Sequence, residues 1–312
     1  MNEPLALGID IGGTNTAYGF VNRRGEIVDK GSVPTTGHHS PQEYMQALKS
    51  TLMPLIERFG RQYITGVGIG APNGNFFTGE IIFAPNLPWK GVVIPMVKMA
   101  QDALGVKATL TNDANAAAIG EMTYGAAKGM KDFILVTLGT GVGSGFVANG
   151  QLIYGHDGFA GELGHVIAVR DGRMCGCGRR GCLEAYTSAT GIVATANEWL
   201  SQNPDHSILR DKQITAKMIH EAAAQGDELA IKLFDYTAKI LGQTIADAIA
   251  ITSPQAIILF GGLAKAGDLL MVPLKKYMEE NLLNIYQNKV ALIHSALPDA
   301  DAAILGASAL VW

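Results

Sequence analysis

No stretch of about 18 uninterrupted apolar residues occurs in the 312-residue chain, which excludes a membrane-spanning helix. No lysine- or arginine-rich block interrupts it either, and a formal net charge of -4 leaves no electrostatic footprint for nucleic acid. The chain begins Met-Asn-Glu-Pro and passes straight into the apolar run Leu5-Ala6-Leu7-Gly8-Ile9. Without a basic segment ahead of a long hydrophobic core, the expectation is no secretory leader. Cysteine is scarce, with three residues in all, Cys175, Cys177 and Cys182. That number excludes a disulfide framework: Cys-x-Cys is too short to close without strain, and a third thiol would be left over. A reducing compartment, the cytoplasm, is expected.

What is present is ample core-forming material. An apolar content of 48% over this length supports two domains with their own cores. Three β-rich runs open the chain, 5–11, 15–22 and 26–33, separated by Gly12-Gly13 and by a polar turn ending in Gly25, which reads as a meander. Apolar residues at helical spacing follow over 41–59 (Tyr44, Leu48, Leu52, Leu55, Ile56, Phe59), then a strand over 64–71. After a Gly/Pro/Asn-rich excursion come a helix over 95–104, a short strand over 108–111 and an alanine-rich helix from Ala114. A second β-rich series, 133–138 and 144–147, repeats the order of the first half. Beyond Glu184 the chain turns helical, most clearly over 229–251. A continuous apolar strand (255–260), a further helix, a strand (290–294) and a last helix (300–311) close it. Two similar halves of alternating strands and helices predict α/β architecture with a cleft between domains.

Three glycine turns punctuate this pattern. Asp10-Ile-Gly12-Gly13-Thr14-Asn-Thr16 lies between the first two strands, where paired glycines let bare backbone N–H groups wrap an anion and Thr14 and Thr16 add hydroxyls. Gly139-Thr140-Gly141-Val142-Gly143 repeats the arrangement in the second half. Either turn alone reads as an ordinary hairpin; two matched turns in matched halves favour a phosphate site. No Walker lysine is present and neither turn opens a helix in the Rossmann manner. The charge of a phosphate would then be met by amides, threonines and a metal ion, with Asp10 as the carboxylate for Mg2+. A third turn, Gly261-Gly262, follows a buried strand, and its bare backbone admits the close approach of a flat ring or a ribose.

The three thiols, with His165 upstream, offer the ligand types and ligand count of a closed tetrahedral zinc site, and glycines at 172, 176, 178 and 181 let the backbone converge. A loop of unpaired thiols is the competing reading.

These motifs together, Asp-x-Gly-Gly-Thr-x-Thr, Asn112-Asp113-Ala-Asn, Leu-Gly-Thr-Gly-Val-Gly-Ser-Gly, Gly161-Glu162-x-Gly-His165 and Cys-Gly-Cys-Gly-x-x-Gly-Cys-Leu-Glu184, resemble the ROK sugar kinases (repressor, open reading frame, kinase) along essentially the whole chain. The resemblance implies an actin-like ATPase (ribonuclease H-like) fold, with residues 1–112 plus 298–312 as a smaller domain and 113–297 as a larger one carrying the zinc insertion. It implies ATP as donor and Asp113 as the base that takes the proton of a hexose hydroxyl. Asn112, Glu162 and Glu184 would be sugar ligands, and His165 would serve zinc with one nitrogen and the sugar with the other. An aspartate at a helix start is also a common N-cap, the rival role for Asp113. Pro85-Asn86-Leu87-Pro88-Trp89 resembles the Asn-Leu-x-Trp loop of the family's glucokinases, making Asn86 a sugar contact and glucose the favoured substrate, with mannose, N-acetylhexosamines and allose open. A homodimer is implied by resemblance alone. The family also contains sugar-responsive repressors with a helix-turn-helix module ahead of the first phosphate turn; the expectation here is that no such module precedes a strand starting at Leu5.

Overall fold

The computed structural model describes residues 3–202, 206–298 and 301–312. The meander forms as expected: β1 (Leu5–Ile11), β2 (Asn15–Asn22) and β3 (Ile27–Pro34) are antiparallel, and Gly12 N–H closes the first turn on Asn15 C=O at 3.1 Å. Helix α1 (Pro41–Phe59) starts where the Ser40 hydroxyl accepts the Glu43 N–H, with proline at its first position, where no N–H is needed. Its buried stripe, Tyr44, Leu48, Leu52 and Ile56, follows the helical period read from the sequence. Strand β4 (Ile64–Gly70) runs parallel to β1. A two-residue pair that periodicity does not reveal, β5 (Ile81–Ile82) and β6 (Val93–Ile94), precedes α2 (Met96–Leu104), β7 (Ala108–Thr111) and α3 (Asp113–Tyr124). The first sheet has the order β3-β2-β1-β4-β7.

The second sheet repeats that plan. A meander of β8 (Phe133–Leu138), β9 (Val142–Ala148) and β10 (Gln151–Leu152) comes first. The long excursion holding the cysteines follows, then α4 (Glu184–Thr187), α5 (Ala189–Gln202), α6 (Ala216–Ala224) and α7 (Glu228–Thr252). Strand β11 (Ala256–Phe260), α8 (Asp268–Asn281) and β12 (Ala291–His294) complete the order β10-β9-β8-β11-β12, with β11 parallel to both neighbours. The last helix, α9 (Ala302–Ala309), begins later than the sequence pattern indicated; its expected first residue, Ala300, lies outside the described residues.

Two apolar cores result. One joins β1 and β4 to α1 and α2 through Leu7, Ile9, Leu48 and Leu104; the other joins β8 and β11 to α7 and α8 through Val136, Ile258's neighbour Leu259, Leu241 and Leu274. Helix α9 returns across the first sheet at backbone contact. A Cβ on Gly68 would lie 1.8 Å from Ala307 O and one on Gly8 2.3 Å from Ile304 O, so side chains there would push the helix off. Among the described residues, no helix is long and apolar enough to cross a membrane.

Candidate active site

The carboxyl ends of β4, β7, β8 and β11 face a cavity of about 410 Å³ whose lining includes Asn86, Asn112, Asp113, Gly141, Glu162 and Glu184, the place where open parallel sheets collect ligands. Asp10, near the end of β1, stands beside Gly70 of β4 and close to the cavity's Asp113. A Cβ built on Gly70 would stand 3.6 Å from Asp10 Oδ1 and 3.9 Å from the Asp113 Cα, so the glycine lets the two acids share one corner. Burial, then the charge of Asp113, pushes Asp10 up to about 7. No lysine or arginine pairs with Asp10 among the described residues. Asp10 is half-buried and Asp113 exposed as a residue, yet protein packed about both carboxyls leaves them desolvated without a cationic partner, a setting that suits a divalent cation such as the Mg2+ expected there.

The rivalry over the N-terminus of α3 is resolved by its neighbour. Asn112, extended at φ -72°, is the N-cap, and its side chain accepts the Asn115 N–H at 2.7 Å. That bond occupies Oδ1 and leaves the amide NH2 for the cavity. Asp113 stands in the first helical turn with one oxygen on the Ala114 N–H at 2.8 Å, and burial holds its carboxyl above the usual carboxylate range.

The opposite wall is built on the second glycine turn. Glu184, the first residue of α4, accepts the Val142 N–H at 2.9 Å, and a Cβ on Gly141 would fall 2.4 Å from its Oε2. Gly143 N–H goes to the Thr137 hydroxyl at 3.1 Å and Ala189 N–H to Gly139 C=O at 2.8 Å, which fixes the turn from three sides. The N–H groups of Thr140 and Gly141 have no partner among the described residues, and the same holds for Gly13 and Thr14 in the first turn; both pairs are donors available to an anion. Glu162 is held by Ser144, whose hydroxyl donates to Gly161 C=O and accepts the Leu163 N–H at 3.1 Å. Glu162 is exposed as a residue, yet protein packed about its carboxyl raises its proton affinity; the His165 ring opposes this, and the charges of Asp113 and Glu184 add to it.

His165, Cys175, Cys177 and Cys182 converge as the sequence suggested, each presenting one donor atom, all within 4.8 Å of one another. The Cys177 and Cys182 sulfurs are 3.6 Å apart, and Cys175 Sγ lies 3.8 Å from His165 Nδ1. Zinc–sulfur bonds of about 2.3 Å in a tetrahedron require sulfur separations of roughly 3.8 Å, so the donor set fits zinc and leaves no open coordination position. Burial pushes the Cys175 thiol up to about 12, so a thiolate there calls for a cation. Cys175 Sγ also lies 3.7 Å from Glu184 Oε1, which puts the cluster directly behind a cavity carboxylate.

Some expected residues stand elsewhere. Thr16 is fully buried, its hydroxyl bonded to Thr35 Oγ1 at 2.9 Å and to Tyr44 OH at 2.8 Å, so it faces the core and not the cavity. Thr14 is exposed at the turn. Asn86 lies on the rim, where its carbonyl would meet a Cβ on Gly13 at 2.5 Å; Trp89 anchors that loop, its ring against Tyr44 and its N–H on His38 C=O at 3.2 Å. Gly261 (φ +103°) packs on the Leu138 backbone, but Gly262 opens only the 3-10 turn Leu263–Ala266, and α8 starts after Gly267. Sequence reasoning missed Pro72 and Asn73 on the cavity wall, although Pro-Asn-Gly after a strand is a turn signature and Asn73 has φ +51°. It also missed a second hollow of about 460 Å³ that continues from Gly139, Thr140 and Gly262 between Ala189, His220 and Lys265, residues contributed by helices with no local motif.

Comparison with known proteins agrees with this geometry. The model of the ROK family matches residues 6–312. A glucokinase from Halalkalibacterium halodurans is 36% identical over 89% of this chain and 86% of its own. An N-acetylmannosamine kinase from Citrobacter koseri is 32% identical, with 97% of each chain covered. Among solved structures, a ROK family glucokinase from Streptomyces griseus in complex with glucose and AMPPNP matches with a TM-score of 0.80 at 32% identity, over 98% of this chain and 99% of that one. The architecture is the actin-like ATPase fold that the sequence led us to expect.

Proposed function

The chain belongs to the ROK family, and from that premise we propose that it transfers the γ-phosphoryl group of ATP to the 6-hydroxyl of glucose, with Asp113 as the base. It is an ATP-dependent sugar kinase. The observation that carries the reading is one cavity holding Asp113 on one wall and Glu162 and Glu184 with the glycine turn on the other. Carboxylates accept two hydrogen bonds each, which suits vicinal hydroxyls, while unpaired amides suit phosphate oxygens.

In the transfer, the sugar hydroxyl gives its proton to Asp113 as its oxygen attacks the γ-phosphorus, and the bond to the β-phosphate oxygen breaks to release ADP. Asn112 through its amide NH2, Asn86 from the rim, and Glu162, Glu184 and His165 orient the ring. Gly13, Thr14, Thr140 and Gly141 meet the phosphates through their unpaired N–H groups, Gly12, Gly139 and Gly143 shape the two turns with their own N–H groups bonded inside them, and Gly261 and Gly262 border the hollow for the rest of the nucleotide. Thr16 supports its turn from within the core. Mg2+ beside Asp10 would offset phosphate charge; zinc on His165, Cys175, Cys177 and Cys182 would hold the loop that presents His165 and Glu184. The lobes that close on the substrates are 1–112 with 298–312 and 113–297, a division supported by the return of α9 to the first sheet. Closure matters because water is itself a nucleophile toward ATP. Unbridged thiols support a reducing compartment, the cytoplasm.

Glucose is favoured over N-acetylmannosamine by the greater identity to the glucokinase, 36% against 32%. An ADP-release assay over glucose, mannose, allose and N-acetylhexosamines tests this: glucose should give the highest kcat/KM, and release with none of them overturns the kinase reading. A homodimer is supported by a hollow of about 600 Å³ walled in part by Val166, Ile167 and the 83%-exposed Ile251, an apolar surface suited to a second copy. Ile251→Lys should shift the sedimenting species from dimer to monomer.

A further inference from the structure

Arg173 lies in the cysteine loop, two residues before Cys175, yet its side chain leaves the loop and enters the α4–α5 corner. A guanidinium has five N–H donors, and each one here has an acceptor. Nε and Nη2 form a fork on Glu198 at 2.9 and 2.6 Å; Nη2 also reaches Thr195 Oγ1 at 3.1 Å; Nη1 donates to Ala185 C=O and, at 3.3 Å, to Gly191 C=O. Its Cζ stands 4.7 Å over the Tyr186 ring, a cation–π contact. The backbone joins in: Arg173 N–H donates to Tyr186 OH at 2.6 Å and Arg173 C=O accepts the Gly181 N–H at 2.8 Å. The Arg173 side chain is 17% exposed, so its bonds to Ala185, Gly191 and Thr195 are partly shielded from water, while the fork on the 51%-exposed Glu198 faces solvent.

These acceptors belong to the segment that carries Glu184. Ala185 is its neighbour, and α5 begins at Ala189, whose N–H is bonded to Gly139 C=O. We infer that Arg173 is a positioning residue for the sugar site: it fastens the loop that ends in Glu184 to the α4–α5 corner and thereby fixes the Glu184 carboxylate against the second glycine turn. The inference rests on the sugar-kinase reading. Zinc on His165, Cys175, Cys177 and Cys182 would hold the loop through four donors, and Arg173 ties it to the α4–α5 corner, so the two anchors would act on the same carboxylate by separate routes. Lysine cannot replace it, since an ammonium has three donors and no planar fork.

The test is Arg173→Lys, characterised by sugar KM, ATP KM, kcat, zinc per chain and melting temperature. A displaced Glu184 should raise the sugar KM about ten- to a hundred-fold. The ATP KM and kcat should change by less than about threefold, because the glycine turn keeps its own bonds to Thr137 and within itself, and zinc should stay at one per chain. A sugar KM within about twofold of wild type overturns the inference, as does a parallel rise in both KM values or loss of zinc with affinity, either of which would mark a general structural role. If Arg173→Lys does not fold, Glu198→Gln, which weakens the fork and keeps the guanidinium, decides: a selective rise in sugar KM of about threefold or more supports the role, and no selective rise overturns it. Wild-type protein that phosphorylates no hexose would instead remove the kinase reading and this inference with it.

Discussion

The two sheets share one strand plan and diverge in what they place at their carboxyl ends. Two residues before the first glycine of its turn, the first sheet has Asp10 and the second has Thr137. Asp10 lies beside Gly70 and shares its corner with Asp113, whereas Thr137 lies beside Phe260 and gives its hydroxyl to its own turn at Gly143. The strands after them differ likewise. β7 leads into Asn112 and Asp113, the proposed base, while β12 leads into Ser295, whose hydroxyl donates to the buried Glu121 of α3. The first half therefore sets two carboxylates close together at one corner, whereas the second ties the same positions into hydroxyl hydrogen bonds, one to the Gly143 N–H and one to the buried Glu121 carboxylate. Its carboxylates, Glu162 and Glu184, come from the segment inserted after β10. A duplicated scaffold can thus keep its packing in both halves while only one bears the electrostatic strain of catalysis.

The largest effect expected from breaking this asymmetry is at Asp113. Asp113→Asn should lower kcat by about 10²–10⁴, the range of a lost general base, with glucose affinity by calorimetry changed only a few-fold. A kcat near wild type would remove Asp113 from the chemistry. Because burial raises its carboxyl, the acid limb of kcat/KM in wild type should lie above the pH at which an ordinary aspartate titrates.

Next in size is a contrast of sign. Asp10 has a folded-state value of about 7 against an ordinary 3.8, so its ionisation disfavours the folded state increasingly from pH 3.8 to about 7 and by a constant amount above. In Mg2+-free buffer, Asp10→Asn should raise unfolding free energy by on the order of 3–4 kcal/mol at pH 8, and the gain should vanish below pH 4. Thr137→Val should do the reverse, costing about 0.5–1.5 kcal/mol by removing the hydroxyl that the Gly143 N–H bonds, with no such pH dependence. Urea titrations of both variants at pH 4 and pH 8 check the pair, and destabilisation by Asp10→Asn at pH 8 would break the comparison.

The inserted segment supplies the third test. Cys177→Ser, by weakening the cluster behind Glu184, should raise the glucose KM about 10–100-fold while zinc content falls and the ATP KM holds. An unchanged glucose KM in zinc-free protein would make the cluster remote scaffolding.

Much of this was legible because the chain writes its plan locally. Strand alternation, the glycine turns and Cys-x-Cys sit within short windows, so strands, turns and metal donors are found from neighbours alone. Thr16 was misread because its environment is not local: the motif puts it in a phosphate turn, but Tyr44 and Thr35, far along the chain, turn its hydroxyl inward. The helix start offers Asp113 as an N-cap, but that Asn112 takes this place depends on side-chain geometry that the sequence does not carry. Arg173 and the helical residues of the second hollow belong to no motif, and their roles, like the bonds that Ser144 makes to Gly161 and Leu163, come only from contacts across the fold.

The smallest expected effect separates glycines that the sequence treats alike. A Cβ on Gly141 would lie 2.4 Å from Glu184 Oε2, a contact that the carboxylate relieves by moving away from the Val142 N–H it accepts. A Cβ on Gly139 would meet nothing closer than Gly141 O at 4.0 Å. Gly141→Ala should therefore raise the glucose KM several-fold, about 1 kcal/mol of lost binding, and Gly139→Ala should raise it distinctly less. In the first half the matching contact is made by Gly13, whose Cβ would strike the Asn86 carbonyl at 2.5 Å, so Gly13→Ala displaces the rim loop and leaves Glu184 where it is. Equal glucose KM values for the Gly139 and Gly141 variants would mean that Glu184 is not held by this turn, and the second half would then lack the clamp between turn and inserted carboxylate that distinguishes it from the first.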